Sequence, residues 1–100
     1  MAERDAGSAA ATASIPSLVA AMDAHRAAGR GDLAMAAGRQ AMELSPGDAR
    51  HWMRIGNRMR DLGAFEDAAR CYRECVARAP DYAIGWVNLG LTLADLGDGP

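Results

Sequence analysis

Apolar side chains recur along this chain with the spacing of a helix face. Trp52, Ile55, Gly56, Met59 and Leu62 fall on one side of a helix with 3.6 residues per turn. Phe65, Ala68, Tyr72, Cys75, Val76 and Ala79 do the same on the next. The breaks between such stretches are short: Leu62-Gly63-Ala64 and Ala79-Pro80-Asp81. Gly63 suits the left-handed residue found just past a helix C-terminus. Pro80 stops the second helix and biases Ala79 away from helical backbone. Extended along the chain, the pattern predicts five helices, over 15–28, 32–44, 48–62, 65–78 and 82–96. No segment alternates with period two, so no strand is predicted.

The breaks and the largest side chains share a longer period. Gly29, Gly63 and Gly97 stand 34 residues apart, and so do Pro46 and Pro80, and Trp52 and Trp86. One helical hairpin therefore recurs: row one is 15–48, row two 49–82, and a partial row three 83–100. Row two reads Trp52-x-x-Ile55-Gly56-x-x-Met59, then Gly63, Ala68, Tyr72, Cys75 and Pro80; row three reads Trp86-x-x-Leu89-Gly90-x-x-Leu93, then Gly97. Row one keeps Ala34, Ala41 and Pro46. It has Leu18 at the Trp position, Met22 at the first Gly, His25 where rows two and three have Met59 and Leu93, and Gly38 where row two has Tyr72. A helical Gly costs about 1 kcal/mol relative to Ala, and a large packing side chain is missing with it. Terminal repeats are commonly atypical in this way.

These residues resemble the tetratricopeptide repeat over residues 15–100, strongly in rows two and three and weakly in row one. The resemblance implies an all-α, right-handed α-solenoid of helical hairpins, about two and a half repeats long, that serves as a protein-interaction scaffold. It also implies a concave face, lined by the first helix of each hairpin, that receives a peptide. Chaperone-binding members clamp a C-terminal carboxylate with Lys and Asn in the first repeat, Asn in the second, and Lys with Arg in the third; those positions map here to Val19, Asp23, Arg54, Ile84 and Asn88, and none matches. Recognition of chaperone tails is disfavoured.

Composition narrows the function classes. Half the residues are hydrophobic but only 5% are aromatic, so much of the apolar content is Ala and the expected core is thin. A net charge of −2 gives no global attraction to nucleic acid or to an acidic membrane. Met1 to Ser14, rich in Ala, Ser and Gly, lacks the basic and leucine-rich regions of a secretory signal and is expected to be a flexible leader, 1–14, to the repeat domain, 15–100. No run approaches the roughly 20 apolar residues of a membrane span. The expected location is cytoplasmic, with Cys71 and Cys75 as small reduced hydrophobes on one helix. No phosphate loop, paired-Cys zinc spacing or nucleophile elbow is present. His25 replaces a packing aromatic, His51 opens a helix, and Gly-Arg-Gly at 29–31 is a turn. Neither an enzyme activity nor a cofactor is expected.

A binding face can still be specified. Val19, Met53 and Val87 occupy equivalent places in the three rows, and Leu91 extends them. Side by side they are expected to form an apolar floor, with Arg50, Arg54, Asn57, Arg60 and Asn88 as a basic, polar wall. Guanidinium forks match carboxylates, so the face suits an acidic-hydrophobic peptide. Arginines on a helix also serve as plain solvated surface, balanced here by Asp61, Glu66 and Asp67. A second function class stays open: the chain as the amino-terminal part of a larger bacterial enzyme, such as a glycosyltransferase or sulfotransferase. Trp86, Leu89, Leu93 and Leu96 are expected to pack inward from helix 82–96 and Trp52 to pack near Ala68 and Tyr72. Val87 and Leu91 are expected to face outward, making helix 82–96 a surface for self-association.

Overall fold

The computed structural model describes residues 14–97. Among these residues lie five helices: α1 (Ile15–Ala27), α2 (Gly31–Glu43), α3 (Ala49–Asp61), α4 (Phe65–Arg78) and α5 (Ala83–Asp95). No strand occurs among the described residues. The expected boundaries differ by a residue at most sites because Asp48, Leu62, Tyr82 and Leu96 are caps at the helix ends rather than helical residues. Residues 1–13 of the expected leader and 98–100 of the third row lie outside the described residues.

Sequence neighbours pack as antiparallel pairs, α1 with α2 and α3 with α4, and α5 packs on α4. The first helices of successive rows also lie side by side. Arg58 of α3 reaches Asp23 of α1, and Asn88 of α5 reaches Asn57 of α3. The core runs through the middle of this arrangement. Met22, Ala41, Met42, Trp52, Ile55, Met59, Ala68, Cys71, Tyr72 and Cys75 are all fully or nearly fully buried in it.

The period of 34 has a backbone cause. Gly29, Gly63 and Gly97 have φ of 75°, 80° and 75°, each just beyond a first helix. At Gly63 the amides of Gly63 and Ala64 donate to the carbonyls of Arg60 and Met59, closing the helix end. The Trp and Pro recurrence has a side-chain cause. Trp52 Nε1–H donates to the Pro46 carbonyl at 2.6 Å, and Trp86 Nε1–H donates to the Pro80 carbonyl at 2.7 Å.

Two packing expectations are corrected. Trp52 meets the far end of α4, with the Arg78 guanidinium 5.3 Å from its ring centroid, rather than the Ala68 end. Antiparallel helices put the start of one beside the finish of the other. Gly56 is the residue that faces Tyr72: a Cβ there would stand 2.9 Å from Tyr72 Cε1 and 3.0 Å from Cys71 Cβ. Trp86 is 51% exposed where Trp52 is 2% exposed, because no described helix lies over α5 as α4 lies over α3. Leu89 is buried and Leu93 and Leu96 are partly so, as expected of the inner face.

Gly38 is no void. A Cβ there would meet Met59 Cε at 2.4 Å and Met22 Cε at 2.6 Å. In the α1–α2 pair the large residue (Met22) is on the first helix and the small one (Gly38) on the second. In the α3–α4 pair the order is reversed, with Gly56 on the first helix and Tyr72 on the second.

Candidate functional site

The first-helix face is built by α1, α3 and α5, tied edge to edge. Arg58 grips the Asp23 carboxylate with two bonds, Nε to Oδ1 at 2.9 Å and Nη2 to Oδ2 at 3.2 Å. Asn57 Oδ1 accepts from Tyr72 OH at 2.7 Å and from Asn88 Nδ2 at 3.3 Å. Arg60 pairs with Asp95 at 3.5 Å. Three first helices are thereby held in register by polar bonds over a core that Tyr72 helps fill.

The expected apolar floor divides in two. Val19 and Met53 are buried, at 8% and 7% exposure, while Val87 and Leu91 are 52% and 49% exposed. The reason lies in the next first helix along the stack. α3 covers α1, and α5 covers α3: Asn88 Nδ2 lies 3.3 Å from Met53 Sδ, and a Cβ on Gly85 would lie 3.8 Å from Met53 Cε. The position that reads as groove floor is a contact between neighbouring first helices. Only Val87, with no described helix beyond it, is left open.

The basic wall is likewise mostly engaged. Arg50 forks onto Asp48, with Nε at 3.2 Å and Nη2 at 2.8 Å, while the Asp48 carboxylate also caps α3 by accepting the Arg50 amide at 2.9 Å. Those Arg50 bonds hold the Asp48 carboxyl well below the usual carboxylate range. Arg60 is held by Asp95, and Asn57 and Asn88 by each other. Arg54 is exposed and has no ion pair among the described residues. Its equivalents in the repeat register are Ala20 in row one and Asn88 in row three.

Other features belong to the scaffold. Burial pushes the Cys71 thiol up to about 12 and raises that of Cys75, so both stay protonated and unreactive at neutral pH. Among the described residues no three His, Cys, Asp or Glu side chains gather to hold a metal ion. A cleft of about 310 Å³ lies between Met35 and Arg39 of α2, residues 63–67 at the start of α4, and Leu96. Its rim charges Arg39 and Asp67 neutralise each other at 3.0 Å.

Sequence reasoning missed the Arg58–Asp23 and Arg39–Asp67 pairs, 35 and 28 residues apart. A 34-residue repeat brings separations near 35 together, so opposite charges at that spacing were the available signal for Arg58 and Asp23. It also missed the exposure of Ile84 and Trp86. Among the described residues no helix is long and apolar enough to cross a membrane. Comparison with family models finds no match, and neither does comparison with curated proteins.

Proposed function

We propose that this chain is a protein-interaction module of tetratricopeptide type, a right-handed α-solenoid whose first-helix face binds a peptide segment of a partner. The supports are physical. The glycine caps and the Trp-to-Pro bonds repeat at 34 residues, and the first helices lie side by side as a continuous face. The observation that carries the binding reading is the contrast among its cations. Arg50, Arg58 and Arg60 are engaged by internal carboxylates, whereas Arg54 is exposed and has no ion pair among the described residues. Exposed Leu91 and Val87 supply apolar surface on α5. A peptide with one carboxylate next to large apolar residues fits this combination.

The test is a titration of acidic-hydrophobic peptides against the wild type and Arg54→Ala, with circular dichroism confirming that both are equally helical. Arg54→Ala weakens binding by roughly threefold to tenfold at low salt, the effect of losing about 1 kcal/mol. The difference narrows at high salt, because exposed charges are screened. Equal affinities at low salt overturn the reading.

A further inference from the structure

We propose that Asn57 and Asn88 form a seat for the main chain of the bound peptide: the carbonyl of one extended residue accepts from Asn57 Nδ2, and the N–H of that same residue donates to Asn88 Oδ1. The seat rests on the peptide reading of the first-helix face and deepens it.

The polarity of the pair is fixed from beneath. Asn88 Nδ2 lies 3.3 Å from Met53 Sδ and 3.3 Å from Asn57 Oδ1. A thioether sulfur carries no proton, so the Asn88 atom against it is the amide nitrogen. The Asn57 atom that meets this nitrogen is then the oxygen, and it also accepts from the Tyr72 hydroxyl at 2.7 Å. Turning either amide over would set donor against donor or acceptor against acceptor. Met53 and Tyr72 are buried, so both anchors are held by the core.

What remains of each amide is open. Asn57 is exposed and Asn88 half-buried. Asn57 Nδ2 and Asn88 Oδ1 have no partner among the described residues. Among those residues His51 Nδ1 alone is buried without a partner, so Asn88 Oδ1 reaches solvent. The pair therefore presents a donor and an acceptor on either side of one Asn–Asn bond. A carboxylate holds acceptors only and answers Asn57 but not Asn88; a cation holds donors only and answers Asn88 but not Asn57. An extended residue turns its own N–H and C=O to one edge and answers both. Arg54 precedes Asn57 by three residues on α3, and Leu91 follows Asn88 by three on α5. The seat thus lies between the exposed cation and the apolar surface, and reads main chain rather than side chain.

NMR titration with the blocked peptide acetyl-Ser-Leu-Leu-Asp-Leu-Leu-Ser-N-methylamide, which has no side-chain amide of its own, tests the seat. Each Leu N–H is replaced in turn by an ester oxygen, which removes the donor and adds no bulk. At one position the replacement weakens binding to the wild type by roughly threefold to tenfold, the effect of one lost hydrogen bond. Against Asn88→Ala, equally helical by circular dichroism, the same replacement changes nothing. Binding that depends on Arg54 but is indifferent to every ester replacement, or that is weakened as much in Asn88→Ala as in the wild type, overturns the seat and leaves the peptide reading standing. No binding of this peptide at millimolar concentration overturns both.

Discussion

A single donor explains why two of the repeating residue types travel together. Trp52 fills the core and must bury an indole N–H, which the Pro46 carbonyl satisfies at 2.6 Å. A carbonyl just past a helix end is free to accept because the helix no longer uses it. Trp52→Phe removes the donor while keeping most of the ring, so the Pro46 carbonyl loses its buried partner. The expected loss is about 1–3 kcal/mol in urea unfolding. Trp86→Phe is expected to cost less, because Trp86 is half exposed and water can replace the donor. Ser45 makes a second residue-scale case. It turns the chain out of α2 with φ of 50°, the one non-glycine with positive φ among the described residues. An L side chain is strained by that backbone, so Ser45→Gly is expected to raise stability by about 0.5–1 kcal/mol in the same assay. A lower stability for Ser45→Gly would mean the hydroxyl contributes more than the backbone strain removes.

Helix pairs show where reading a sequence succeeds and where it stops. All five helices were legible, because a 3.6-residue pattern punctuated by Gly63 and Pro80 leaves little freedom. The missing packing expected at Gly38 is not found. Aligning rows compares like positions, but volume is conserved across an interface, and Met22 with Met59 supplies what Gly38 lacks. The groove floor failed for a related reason: exposure of Val19 and Met53 depends on the next helix, which no local pattern encodes. Arg54 was legible as exposed, but the pairing of its neighbours with Asp48 and Asp95 was not. The same contrast yields a prediction. At Gly56 an added methyl meets the Tyr72 ring and the Cys71 Cβ, neither of which can move away freely. Gly56→Ala is expected to destabilise by about 1–3 kcal/mol. At Gly38 the obstacles are the mobile ends of two methionines, and the gain in helix propensity is about 1 kcal/mol. Gly38→Ala is expected to be close to neutral, and parallel thermal melts of the two variants check the ordering. Equal losses would show that the methionine ends are as fixed as the tyrosine ring.

Across the whole molecule, alkaline stability reports how completely the second hairpin closes. All eleven basic residues are arginine and none is lysine, so the basic side chains and their ion pairs keep their charge through pH 9 to 11. The buried acids are then the main groups that change. Burial pushes Cys71 from an ordinary 9.0 to about 12, and Tyr72 from 10.0 to about 12. The folded state holds these protons more tightly than the unfolded chain does. Stability is therefore intact below about pH 9 and falls as pH rises toward 12, since folded Cys71 and Tyr72 hold protons there that the unfolded chain releases, and Cys75 acts in the same direction. Each such group contributes at most about 1.4 kcal/mol per pH unit. The decline should begin near pH 9 with the thiols and steepen above pH 10, when unfolded Tyr72 begins to ionise. Urea unfolding at pH 8, 9.5 and 11 measures this directly. Tyr72→Phe, which keeps the ring but surrenders the bond to Asn57, is expected to start about 1 kcal/mol less stable at pH 8. It should also lose the steeper part of the decline above pH 10. A wild-type stability that is flat to pH 11 would mean that water reaches Cys71 and Tyr72 in the folded state, and that α3 and α4 do not close over them as described.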